Sequence, residues 1–156
     1  MTLKEYITYC RAILYAFVAH AGQVDKAGKP YFGHLVRVSR LCKTPEARIV
    51  ALLHDTMEDT ATTYVDLIKR FGERIAFEVR LLTQTQTVGR GDRRIYIEFI
   101  AQSPIAREVK IADLIDNMNL GRLSDVSLTD AQRQRTYSRE LIYLLSSPRW
   151  VAHHEQ

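Results

Sequence analysis

The sequence predicts an all-α protein built as one domain, and three observations carry that prediction. Apolar residues recur at helical spacing along almost the whole chain, and no run alternates apolar and polar in the manner of a strand. Side-chain capping signals open one segment after another: Thr2-x-x-Glu5, Thr44-Pro45, Thr63-x-x-Asp66, Ser103-Pro104 and Ser127-x-x-Asp130. The length of 156 residues suits one core, and neither a repeat nor a linker divides it. The domain is expected to span 1–156, with its core at about 5–145.

The elements follow in order. Thr2 and Glu5 form a capping box, and Tyr6, Cys10, Ile13, Leu14, Phe17 and Val18 then make a helical stripe. The stretch from Gly22 to Pro30 holds two glycines, a proline and three charges, and reads as a loop. A second helix is expected from about Tyr31 to Cys42. Thr44 caps a third, with Pro45 at its first position, and this helix is expected to run on through His54–Asp59.

Thr63 and Asp66 open a further helix that stops near Gly72, and the spacing of Ile75, Val79 and Leu82 predicts the next. Gln84 to Asp92, with Gly89 and Gly91, is the longest polar stretch and reads as a mobile loop. Ser103-Pro104 precedes a helix over Ile105–Leu120, with Gly121 suited to the C′ position. Ser127 and Asp130 begin a last helix through Leu145.

Composition removes several function classes. No run of about 18 apolar residues exists, so no membrane span is expected. The N-terminus lacks the layout of a signal peptide, and a cytoplasmic location is expected. Cys10 and Cys42 stand far apart without a Cys-x-x-Cys pattern, which argues against a disulfide framework or a zinc knuckle. The net charge of +4 admits an anionic partner. Arg90, Arg93 and Arg94 form one basic cluster, and Arg133, Arg135 and Arg139 another. Each is either a solvated surface or a phosphate dock. Aromatics do not interleave with these residues, and no nucleic-acid partner is expected. Composition leaves the oligomeric state open.

Chemistry concentrates in Ala51-Leu-Leu-His54-Asp55-Thr-Met-Glu58-Asp59-Thr60. On a helix, positions i, i+1, i+4 and i+5 share a face, so His54, Asp55, Glu58 and Asp59 would converge. Two such groups can ligate a metal while two remain for proton chemistry. His34 and Asp113 are further candidate ligands, from the preceding helix and from Lys110-Ile-Ala-Asp113-Leu-Ile-Asp-Asn117. Two imidazoles and two carboxylates suit Mn²⁺, Fe²⁺ or Zn²⁺ better than Ca²⁺ or an all-oxygen Mg²⁺ site. Taken singly, His20 or His34 is more often a hydrogen-bonded structural histidine, and Asp113 could simply pair with Lys110. His153 and His154, at the tail, read as solvated.

The ordered series Ala19-His20-Ala-Gly-Gln23, Gly28-x-Pro30-Tyr31-x-x-His34, Leu53-His54-Asp55-Thr-x-Glu58-Asp59-Thr60, Phe71-Gly72 and Lys110-Ile-Ala112-Asp113-x-x-x-Asn117-Met118 resembles the HD superfamily of metal-dependent phosphohydrolases. Within it the chain looks like the alarmone hydrolase branch, over roughly residues 5–145. The resemblance implies an HD-type helical bundle with a metal site between central helices. It implies His34, His54, Asp55 and Asp113 as ligands of one divalent metal, usually Mn²⁺. Glu58 and Asp59 match the pair that positions and activates the attacking water. Asn117 matches a ribose-contacting residue, Tyr137 in Arg133-x-x-x-Tyr137 a tyrosine near the nucleotide, and His20 and Gln23 look like support for the site.

The implied reaction removes the 3′-pyrophosphate of guanosine 3′,5′-bis(diphosphate) or pentaphosphate, with adenosine forms as the alternative. The layout resembles the stand-alone form of the enzyme. Two departures concern the base. Where the family commonly has an arginine that stacks on guanine, the chain has Asp25, an anion without a planar cation's stacking surface; Lys26 remains as the basic substrate-binding candidate. Asn119-Leu120 replaces Arg-Asp or Arg-Thr after Asn117-Met118. Two other readings stand beside this one. The first is an HD-type nucleotidase or another nucleotide phosphohydrolase. The second is a non-catalytic nucleotide-binding protein, which the complete His/Asp/Glu set disfavours.

Overall fold

A computed structural model of the protein describes residues 1–84, 93–122 and 127–147, and among these every regular element is helical. In chain order these are α1 (Leu3–Ala19), α2 (Phe32–Leu41), α3 (Pro45–Leu53), α4 (Thr56–Asp59), α5 (Tyr64–Phe71), α6 (Glu73–Leu82), α7 (Arg93–Gln102), α8 (Pro104–Asn117), a 3₁₀ turn over Leu120–Arg122, and α9 (Leu128–Ser146). The capping signals act as read. Thr2, Thr63 and Ser127 each form a reciprocal capping box with the residue three positions on, and the Thr44 and Ser103 side chains accept from Ala47 and Ala106.

Helix α3 is the centre. Ala47, Ile49, Val50, Ala51, Leu52 and Leu53 are all buried, so apolar groups surround it, as expected of a helix enclosed by others. It packs against α1, α2, α6 and α8, while α8 also meets α2, α6, α7 and α9. Two carboxylates from neighbouring helices hold the entrances of these central helices. Glu108 accepts from the Lys43 and Thr44 amides before α3, and Glu78 accepts from Ser103 Oγ at 2.6 Å and the Ala106 amide at 3.1 Å at the start of α8.

Three expectations need correction. The helix through His54–Asp59 is broken: α3 ends at Leu53 and α4 begins at Thr56. His54 Nδ1 bonds the Ala51 carbonyl at 2.7 Å and Thr56 Oγ1 the Leu53 carbonyl at 2.7 Å, so side chains take up carbonyls that backbone amides would otherwise claim. Helix α8 ends at Asn117 rather than Leu120, and Gly121 falls in the 3₁₀ turn without a positive φ. The α1 stripe is helical, yet Tyr6, Leu14, Phe17 and Val18 are exposed while Ala12 and Ala16 face the core. Close approach to α3 selects the small side chains.

Helix α7 is an addition that no capping signal announces; Ile97, Ile100 and Ala101 bury its inner face. Arg90, most of the Gln84–Asp92 stretch, His153 and His154 lie outside the described residues. Gly72 ends α5 at φ +87°, a backbone that favours glycine and turns the chain directly into α6. No described helix is long and apolar enough to cross a membrane.

Candidate metal centre and substrate cavities

Three elements bring the candidate ligands together. His34 lies on α2, His54 at the C-terminal cap of α3, and Asp113 on α8, all three buried. One ligand atom from each falls within 4.8 Å of the others. His34 Nε2 stands 3.3 Å from Asp113 Oδ1 and 3.8 Å from Asp55 Oδ2; His54 Nε2 stands 3.1 Å from Asp55 Oδ2 and 3.7 Å from Asp113 Oδ1. Asp55, in the turn between α3 and α4, is thus brought to the same point.

The hydrogen bonds around these groups leave the right atoms available. The Ala51 carbonyl can only accept, so His54 Nδ1 carries the proton, and Nε2 is buried without a hydrogen-bond partner. A bare, buried imidazole nitrogen beside two carboxylates is costly unless a cation completes it, and the donor set fits a divalent metal. Asp113 divides its oxygens: Oδ2 accepts from Lys110 Nζ at 2.9 Å, and Oδ1, facing the imidazoles, accepts from Asn117 Nδ2 at 2.6 Å. Pairing with Lys110 therefore takes one oxygen of Asp113 and leaves the other toward the imidazoles. Tyr31 donates to Asp55 Oδ2 at 2.5 Å.

Electrostatics follows this arrangement. Burial opposes the Asp113 charge, but Lys110 and the imidazoles outweigh it and hold the carboxyl well below its usual range. Burial likewise opposes a charged His34, yet Asp113, Asp116 and Asp55 raise it to about 9. Burial pushes Glu58 up, the Gln84 amide offsets part of this, and Asp55 and Asp59 add to it. Asp59 is raised by burial and by Asp55, with the nearby histidines opposing. Gln23 Nε2 donates to the Asp59 carbonyl at 2.8 Å, and Gln23 Oε1 meets His20 Nδ1 at 2.7 Å, so these two residues support the acid pair from α1 and its following loop.

Two cavities adjoin the cluster. One, of about 190 Å³, is lined by Asp55, Glu58, Asp59, Arg93, Lys110 and Asp113. The other, of about 290 Å³, is lined by Asp25, Lys26, Asn119, Arg133 and Gln134. Tyr31, Asn117 and Tyr137 line both. Of the site residues singled out by sequence, His34, Asp55, Glu58, Asp59, Asp113, Lys26, Asn117 and Tyr137 each line one or both of these cavities, while His54 is buried behind them.

The arginine clusters split. Arg93 is half-buried, ion-paired with Glu140 and placed 5.8 Å over the Tyr137 ring, whereas Arg94 is exposed and pairs with Glu98 on its own helix. Arg133 lines the larger cavity, while Arg135 and Arg139 are exposed. Sequence reasoning left Arg93 between a solvated surface and a phosphate dock, and it missed Tyr96, Asp116 and Arg37. The signal for the last two was spacing, since Asp116 follows Asp113 and Arg37 follows His34 by three residues, one turn along the same helix.

Fold and site together define an HD-type helical hydrolase. No protein-family model matches the chain. A guanosine-3′,5′-bis(diphosphate) 3′-pyrophosphohydrolase, MESH1 of Drosophila melanogaster, is 33% identical over 70% of this chain and 67% of its own length. The Aquifex aeolicus guanosine-3′,5′-bis(diphosphate) 3′-pyrophosphohydrolase is 35% identical over 69% of this chain, which spans 17% of that longer protein. A solved structure of a metazoan ortholog of SpoT that hydrolyzes ppGpp superposes with a TM-score of 0.76 at 25% identity, covering 92% of this chain and 88% of that one. The chain belongs to the guanosine-3′,5′-bis(diphosphate) 3′-pyrophosphohydrolase family.

Proposed function

We propose that residues 1–156 act as one cytoplasmic hydrolase domain that removes the 3′-pyrophosphate from guanosine 3′,5′-bis(diphosphate) or pentaphosphate. In this reading His34, His54, Asp55 and Asp113 hold Mn²⁺, and Glu58 and Asp59 are the catalytic acids. The observation that carries it is the juxtaposition of the His34–His54–Asp113 cluster with a polar cavity lined by Glu58 and Asp59. The names of the Drosophila and Aquifex relatives support the substrate.

A divalent metal, when bound, supplies positive charge and Lewis acidity at the phosphoryl group. The chain's own residues do the rest. Glu58 or Asp59 takes the proton of the water that attacks the 3′-linked phosphorus, and burial strengthens each as a base toward neutral pH. The bond from phosphorus to the 3′-oxygen breaks, and the proton taken up by the acid pair passes to the leaving 3′-oxygen, which restores the base. Arg93 and Lys110 place positive charge on the wall of the smaller cavity, where a pyrophosphate's charge is offset. Lys26, Asn117 and Tyr137 line the larger cavity, which takes the nucleoside end.

Asp25 does not oppose this arrangement. Its Oδ1 accepts from the Ala27 and Lys29 amides at 2.9 and 3.0 Å, so the carboxylate is spent in forming the 25–29 turn. The test is a Mn²⁺-dependent assay against guanosine and adenosine 3′,5′-polyphosphates. Release of pyrophosphate from the guanosine forms is expected. Release of orthophosphate, or binding without turnover, would overturn the reading.

A further inference from the structure

We propose that Asp116 and Arg37 are positioning residues for His34, which they hold in the tautomer and orientation that present Nε2 to the metal. The inference deepens the metal-dependent reading and rests on it.

The geometry is specific. Asp116 is buried on α8, and its Oδ2 lies 2.7 Å from His34 Nδ1. Arg37 reaches both oxygens of the same carboxylate, Nε to Oδ1 at 2.8 Å and Nη2 to Oδ2 at 3.1 Å. Arg37 also faces Asp25 Oδ2 at 3.8 Å, at the turn beside the larger cavity. The pairing repeats one turn along each helix: α2 supplies His34 and then Arg37, and α8 supplies Asp113 and then Asp116. The two helices that juxtapose a ligand pair therefore juxtapose its support.

An ionised carboxylate can only accept, so His34 Nδ1 must donate, and Nε2 is left toward Asp113 and Asp55. The bidentate fork fixes the plane of the Asp116 carboxylate, and with it the rotation of the imidazole. Arg37 also supplies the countercharge that a buried Asp116 requires. His54 reaches the same tautomer by a different route, through the neutral Ala51 carbonyl. The two imidazoles are thus unequal, with His34 backed by a charged acceptor and the stronger donor to a metal.

The test is a titration of the whole chain with Mn²⁺ alone, the free ion being read by its electron paramagnetic resonance signal. Asp116→Ala is expected to raise the Mn²⁺ Kd about 10- to 100-fold, the usual effect of removing such a partner. Asp116→Asn keeps an acceptor for His34 Nδ1 but gives up the charge and the two-point contact with Arg37, and is expected to recover only part of that loss. Arg37→Gln should weaken Mn²⁺ binding without contacting the metal, and serves if Asp116→Ala does not fold, as judged by far-ultraviolet circular dichroism. Wild-type Mn²⁺ affinity in folded Asp116→Ala, or in Arg37→Gln should the former not fold, overturns the inference and leaves the metal reading standing. A wild-type chain that binds no Mn²⁺ overturns the metal reading itself.

Discussion

Replacing Glu58 with Gln and Asp59 with Asn separates proton chemistry from metal binding, because the structure isolates the pair. Neither residue belongs to the cluster of His34, His54 and Asp113. The Gln84 amide donates to Glu58 at 3.0 Å, a contact that a glutamine oxygen can still accept, and Asp59 is held through its backbone carbonyl, which the substitution leaves in place. Fold and Mn²⁺ affinity should therefore persist. A positioned base contributes roughly 10²- to 10⁴-fold to rate, or about 2.7–5.4 kcal/mol at 1.36 kcal/mol per decade. The double variant should lose that much in kcat while still binding Mn²⁺.

The pH profile adds a sign. A base is lost as pH falls through its folded pKa, and burial with Asp55 and Asp59 holds that of Glu58 above the ordinary 4.5, so the acid limb lies above that value. Asp59→Asn removes one of the charges that raise Glu58, so the limb should move to lower pH in that variant. Pyrophosphate release followed from acid to neutral pH reads both effects. Retained turnover in the double variant, or an acid limb that moves upward in Asp59→Asn, refutes the assignment.

Two further outcomes bear on the scaffold. At a Mn²⁺ concentration one hundred times its Kd, linkage stabilises the wild type by about 2.7 kcal/mol, which for a chain of this size raises Tm by roughly 5–11 °C. His54→Ala should show no metal-dependent shift in the same melting experiment, and a full shift would remove His54 from the ligand set. Glu78→Ala withdraws the buried carboxylate that accepts from Ser103 and the Ala106 amide at the start of α8. It should cost about 1–2 kcal/mol, a fall of roughly 2–8 °C in Tm. An unchanged melt would show that α8 starts as well without it.

What could be read from the chain divides by range. Helix starts were legible because their chemistry is local: Thr2 with Glu5, Thr63 with Asp66 and Ser127 with Asp130 satisfy amides three residues away. The inward face of α1 was not, since the helix is apolar on both sides and only the approach of α3 favours Ala12 and Ala16 over Leu14 and Val18. The break at His54–Asp55 was hidden for a related reason. The bonds of His54 and Thr56 to α3 carbonyls are choices among competing acceptors that a helical pattern does not rank.

Candidate site residues came from motif order and type, whereas their distances depend on how α2, α3 and α8 pack. Asp116 was passed over because the groups that give it a role, a histidine and an arginine, come from another helix.

The break in the central helix also explains how one short sequence stretch serves two tasks. His54 is fixed at the end of α3, whose neighbours α1, α2, α6 and α8 enclose it on all sides, so its nitrogen is aimed by the most tightly packed part of the molecule. Glu58 and Asp59 ride on the single turn of α4, secured from outside the core by the Gln23 side chain and the Gln84 amide. Gln23 leads into the loop bearing Asp25 and Lys26, on the wall of the larger cavity, and Gln84 lines the smaller one. A continuous helix would have bound both pairs to the same rigid element. With the turn at His54–Asp55, ligand geometry is set by the helix core, while the acid pair is set by segments that border the substrate cavities. Changes in those segments should therefore act on turnover while metal affinity holds.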